Sequence, residues 1–169
     1  MAQTEEQTYE LIQIKSNFEI RYYPPAMMAE YNSQGDSSSG FGSLFRYISG
    51  SNASGTKINM TTPVHMEKQD KGNSMAFVLP KKFNPENTPI PKENKVSVYQ
   101  AQGGYYASIL YSGFTNTSKE KKYTAVLIQN LKEEGIKITG SPRVLVYDAP
   151  YKFINRRNEV LIPIIWAPR

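Results

Sequence analysis

The chain has 169 residues, 39% of them hydrophobic, which suits a single compact domain able to bury roughly two thirds of its unfolded surface. The absence of cysteine excludes disulfides, thiolate metal sites and thiol nucleophiles, and one histidine leaves little for metals. The net charge of +5 comes from twenty basic residues scattered among fifteen acids, and Lys81-Lys82, Lys119–Lys122 and Arg156-Arg157 are short clusters, so a solvated basic surface and no nucleic-acid partner are expected.

No apolar run approaches the ~18 residues of a membrane span, and MAQTEEQTYE lacks the basic and apolar regions of a signal peptide. The expected location is cytoplasmic, or periplasmic or secreted if Met1-Ala2 replaces a removed leader. Residues 9–14 (YELIQI) and 18–23 (FEIRYY) read as a hairpin turning at Lys15-Ser16-Asn17. In its second strand Phe18, Ile20 and Tyr22 share one face, and Glu19, Arg21 and Tyr23 the other, which points Tyr22 toward the core. After Pro24-Pro25 the strand resumes over 26–32, and Ser37 to Ser39 offer N-caps for a helix.

Residues 40–66, GFGSLFRYISGSNASGTKINMTTPVHM, form the unit around which the rest is arranged. Phe41, Leu44, Phe45 and Ile48 fall at i, i+3, i+4 and i+7 on one helical stripe, with Arg46 and Tyr47 off it and Gly50 as C-cap. Gly40 and Gly42 weaken this helix, so packing of its stripe must hold it. The returning strand alternates, with Ile58, Met60, Thr62, Val64 and Met66 facing the helix and Lys57, Asn59, Thr61, His65 and Glu67 facing away.

A strand over 74–79 follows, and then four prolines in 80–91 mark an extended surface connector. Strands at 95–100 and 105–111 lead into a second helix with a Thr117-x-x-Glu120 capping box, a stripe of Tyr123, Val126, Leu127 and Leu131, and Gly135 at its end. The last strands fall at 143–148 and 159–166. Strand, strand, helix, strand, strand therefore occurs twice, over about 8–80 and 94–166, predicting one α+β domain over 1–169 with a pseudo-two-fold β-β-α-β-β repeat. A hydrophobic groove is expected wherever a helix leaves its sheet uncovered.

Several blocks, YELI with FEIRYYPP, LFRYISGSN with KINMTTPV, FVLP before the spaced prolines, and YDAPYKFINRRNEV, make an ordered set. In that order the chain resembles the SOUL heme-binding protein family over nearly its full length. The resemblance implies a distorted antiparallel barrel of two sheets flanked by two helices. It also implies a carrier or buffer, not an enzyme, that holds heme or another tetrapyrrole non-covalently. Carried over by position, it implicates Leu44, Phe45 and Ile48, with Phe41 on the same stripe, as the hydrophobic surface for the flat ring. Arg46 and Lys152 match basic positions thought to pair with the propionates. An earlier basic position of some relatives falls near Ser38, and a histidine proposed as iron ligand in some falls at Tyr22.

Each of these residues also has an ordinary structural reading. His65 is the tempting iron ligand, but parity places it on the outer face unless Pro63 flips the register. Tyr22 can ligate ferric iron as phenolate or sit in the core, and Met60 and Met66 can ligate or pack. The first stripe can be groove or core. Glu159 suits a buried ion pair with an arginine, or, in a hydrolase or ligand-sensing module of the same plan, a general base in a central cleft. Asn52-x-Ser54, Asn59-x-Thr61 and Asn116-x-Ser118 match the glycosylation sequon and read as chance matches.

Overall fold

The computed structural model describes residues 4–33, 40–69, 71–149 and 152–168. In chain order the elements are β1 (Glu5–Glu6), β2 (Glu10–Ile14), β3 (Glu19–Tyr23), β4 (Ala26–Asn32), α1 (Phe41–Ile48), β5 (Thr61–Thr62), β6 (Val64–Gln69) and β7 (Gly72–Val78). They continue with β8 (Val96–Ala101), β9 (Gly104–Ser112), α2 (Thr117–Glu133), β10 (Arg143–Val146) and β11 (Arg157–Ile164). The class is α+β, with antiparallel sheets and two helices among the described residues.

Two compact units emerge, one of residues 1–7 and 25–102, the other of 8–24 and 103–169. The predicted β2–β3 hairpin forms, yet β3 pairs with β9, so the hairpin joins the sheet of the second unit. Conversely, β8 pairs with β4 and completes the sheet of the first. Each unit therefore takes strands from both contiguous halves.

The first unit carries the strand order β6-β7-β4-β8 and the short parallel pair β1-β5. Its core joins Leu44, Tyr47 and Ile48 of α1 to Met27, Ala29, Tyr31, Ile58 and Phe77. Ser37 to Ser39 lie outside the described residues, and the residue capping α1 is Gly40, at φ 77° with no side-chain cap. Gly50 follows the C-cap Ser49 at φ 112°. The connector over 80–91 is turned rather than extended: Asn84 Oδ1 accepts from the N–H groups of Glu86 (2.8 Å) and Asn87 (3.0 Å). Asx turns of this kind satisfy backbone donors where proline forbids a ladder.

The second unit has the order β2-β3-β9-β11-β10. One face buries Phe18, Ile20, Ala107, Ile109, Val160 and Ile162 against Leu127 and Leu131 of α2, with Tyr123 and Val126 partly buried. The stripe of α2 is thus the predicted one, and Gly135 ends the helix at φ 67°. Its start differs by one position. Asn116 is the N-cap and accepts from Lys119 N–H at 2.9 Å, while Glu120 turns inward and accepts from Thr115 Oγ1 at 3.1 Å.

Candidate functional site

The helix α1 divides its predicted stripe. Leu44 and Ile48 are covered by the unit's own core, whereas Phe41 and Phe45 are 45% and 51% exposed. Those two rings, one helical turn apart, stack with centroids 6.0 Å apart and planes 15° from parallel. Phe41 also meets Phe77 edge-on at 5.6 Å, which fixes the platform to the sheet beneath. Tyr47, read from sequence as lying off the stripe, is buried, because its hydroxyl finds the Pro89 carbonyl at 2.6 Å. Burial pushes that hydroxyl up to about 12.

Arg46 stands at the edge of the platform with a largely exposed side chain. It donates to Ser43 Oγ (3.1 Å) and to Glu93 (3.2 Å). The Ser43 hydroxyl and Arg46 hold the Glu93 carboxyl below its ordinary range. A cleft beside these residues, reaching Pro91 and Val96, measures ≈ 160 Å³. That is below the ~300 Å³ at which ligand pockets begin, so a flat ligand on α1 would lie on a surface and not in a pocket.

The other predicted positions scatter. Lys152 belongs to the second unit and donates to Asp148 at 2.6 Å. Burial works to raise the Asp148 carboxyl, but the hydrogen bonds from Lys152 and the Arg157 N–H hold it low. Ser38 lies outside the described residues. Tyr22 is half-buried beside the Phe18–Ile20 face and packs its ring on Tyr105 at 5.2 Å.

His65 corrects the expectation from parity: it is buried, only 6% exposed. Alternation holds through Ile58 and Asn59, but Thr61, Pro63 and His65, on the expected outer face, are all buried. The cause lies in the N-terminal segment. β1 pairs with β5, Gln7 N–H donates to the Thr62 carbonyl at 2.8 Å, and Gln7 Oε1 lies 2.8 Å from His65 Nε2. Period two tells which residues share a face, not whether a distant segment covers it.

The buried ion pair expected for Glu159 forms, within a larger cluster that the sequence did not show. On the face of the second unit's sheet opposite α2, Arg21 is 3% exposed and Glu159 0%. Arg21 Nη1 and Nη2 both bond the Glu159 carboxylate, the second at 3.1 Å. Arg157 adds bonds of 3.0 and 2.8 Å, Ser108 one of 3.1 Å and Tyr147 one of 3.2 Å. The Arg21 guanidinium also lies 4.1 Å from the Tyr9 ring centroid. Burial works to raise the Glu159 carboxyl, but Arg21 and Arg157 outweigh it and hold it low. Burial raises the hydroxyls of Tyr23 and Tyr147 above the usual tyrosine range. A carboxylate saturated with donors and ionised near neutral pH is a structural anchor, not a proton acceptor there. Its signal in the sequence was a charge amid the tyrosines of FEIRYY, which alternation assigns to an outer face.

A family model described as SOUL heme-binding protein matches residues 4–163. Heme-binding protein 2 of Homo sapiens is 28% identical over 159 residues, covering 85% of this chain and 76% of the relative. Its counterpart in Mus musculus is 27% identical over the same span, with the same coverage. Among solved structures, the EcmrR C-terminal domain superposes with a TM-score of 0.65 at 12% identity, covering 94% of this chain and 99% of that one. A hydrolase from Listeria innocua gives 0.62 at 12%, covering 89% and 93%. At such identities the two structures establish the shared fold alone.

Proposed function

Because the chain belongs to the SOUL heme-binding protein family, we propose that it is a carrier or buffer for heme or a related tetrapyrrole, held without a covalent bond on the outer surface of α1. The observation that carries this reading is the exposed, stacked Phe41–Phe45 pair with Arg46 at its edge. Two near-parallel rings offer a flat apolar platform to a ligand that is itself a flat apolar disc with two carboxylates on one edge. Leu44 and Ile48 act from beneath, fixing the helix. Arg46 exchanges Glu93 for a propionate, a charge-assisted bond of the same kind. Lys152, the other basic position that the resemblance implicates, belongs to the second unit and is paired with Asp148, so the reading rests on Arg46.

Titration of the pure protein with hemin, followed at the Soret band, tests this. The wild type is expected to shift and sharpen the band. The Phe41→Ser/Phe45→Ser variant should weaken binding at least about tenfold, the equivalent of about 1.4 kcal/mol, for two aromatic contacts. A wild type that leaves the spectrum of free hemin unchanged at tens of micromolar would sink the function. A double variant that binds as tightly as wild type would move the site away from α1.

Iron ligation by His65 is not part of the proposal, since Nε2 is engaged with Gln7 and the ring is buried. His65→Ala is accordingly expected to leave the hemin-bound spectrum unchanged while lowering stability by about 1–3 kcal/mol, through the lost packing of a buried ring and its hydrogen bond to Gln7. Loss of a low-spin spectrum in that variant would instead make His65 the ligand. Catalysis through Glu159 finds no support in its geometry, because two arginines already occupy both carboxylate oxygens.

A further inference from the structure

The second unit presents apolar side chains that neither its core nor the ligand reading uses. Phe153 and Ile154, after β10, are 77% and 75% exposed, and Phe114, in the turn after β9, is 46% exposed. The two loops form one patch, since the Phe114 and Phe153 rings meet edge-on at 6.0 Å.

This exposure is built rather than incidental. Arg156, only 7% exposed, threads beneath the patch: its Nη1 donates to the carbonyls of Ala149 (2.6 Å) and Lys152 (2.9 Å), and its guanidinium lies 4.1 Å from the Phe114 ring centroid. Asn158, fully buried, donates to the Gly113 carbonyl at 2.6 Å. Two buried polar side chains therefore fix both loops and aim three large apolar groups at solvent. Apolar side chains this exposed on two loops suit insertion and not the reception of a partner's side chain.

The surrounding charge names the partner. Lys119 donates to the Ser112 carbonyl at 3.3 Å, beside Phe114, and Lys121 and Lys122 are exposed on the same first turns of α2. Lys152 adjoins Phe153. The acids nearby are turned away from this rim: Glu120 is buried against Thr115, and Asp148 accepts from Lys152 and from the Arg157 N–H. The N-terminus of α2 adds its own partial positive charge. Exposed apolar side chains with Lys119 beside Phe114 and further exposed lysines on the first turns of α2 match the layering of an anionic bilayer, with acyl chains below and phosphates around. We infer that the Phe114–Phe153–Ile154 patch docks the protein on an anionic phospholipid surface, independently of where its ligand binds.

Co-sedimentation of the full chain with vesicles of phosphatidylcholine, with and without phosphatidylserine, tests the inference. Wild type should pellet with the phosphatidylserine vesicles, less with phosphatidylcholine alone, and less as salt rises. Phe153→Ser/Ile154→Ser should lower partitioning about tenfold or more, with far-ultraviolet circular dichroism and thermal midpoint unchanged. Lys119→Glu/Lys122→Glu should remove the preference for phosphatidylserine. A wild type that stays in the supernatant with both vesicles overturns the proposal, as does a loop variant that pellets like wild type. Charge variants that keep the preference overturn its anionic part. Hemin titration of the loop variant is expected to match wild type, so failure here and failure of the ligand reading are told apart.

Discussion

Replacing Arg21 by methionine is expected to lower the free energy of unfolding by about 3–5 kcal/mol. The change keeps the bulk of the side chain but strands the Glu159 carboxylate, which is 0% exposed, with Arg157 as its remaining cation. Desolvating an underpaired carboxylate costs more than the pair itself contributes, so Arg21→Met/Glu159→Met should recover much of the loss. Urea denaturation of the two variants measures both effects, and a single variant within about 1 kcal/mol of wild type would contradict the buried pair.

The same cluster sets an acid limit. Glu159 titrates below its ordinary value in the folded state, so its contribution is complete above the unfolded pKa of about 4.3 and is lost as pH falls through the folded value. Wild type should therefore lose stability below about pH 4, and the double methionine variant should lack that part of the pH dependence.

Gly40→Ala is the second large effect. Gly40 sits at φ 77°, a region costing an L-residue about 1–2 kcal/mol. A Cβ there would lie 2.2 Å from Cδ1 and 2.5 Å from Cγ of Tyr31, a residue 4% exposed in the core under α1. With about 1–3 kcal/mol for overpacking, the total is about 2–5 kcal/mol, read as a fall in thermal midpoint. Since Gly40 starts the helix that presents Phe41 and Phe45, hemin affinity should fall with it. Gly42→Ala is the control. Its Cβ meets only Arg46 Nη1, at 3.5 Å, and inside a helix alanine should gain about 0.5–1 kcal/mol.

The parts legible in the sequence were those decided locally. Helical spacing found Leu44, Ile48, Leu127 and Leu131, all buried. Turn chemistry found Gly50 and Gly135, both at positive φ. What escaped was decided by partners far along the chain. His65 is covered through Gln7, 58 positions away, and the arginine expected beside Glu159 includes Arg21, 138 positions away and not singled out from the sequence. Neither distance leaves a trace in a local pattern. Tyr47 was misplaced because an amphipathic ring counts as half-polar until its hydroxyl has an acceptor, which the Pro89 carbonyl supplies. On the α1 stripe, periodicity grouped Phe41 and Phe45 with Leu44 and Ile48, though only the first two remain accessible.

The exchange of strands between the two units governs the order in which the chain acquires structure as it is made. The β2–β3 hairpin leaves the ribosome before the strand it docks on, β9, which follows the connector, and β4 likewise awaits β8 for its outer neighbour. Pairings so distant in sequence carry a loop-closure cost before any contact rewards it, which slows folding. A nascent chain that ends before β8 and β9 therefore holds strands with open edges, and the two sheets wait for β8 and for β11.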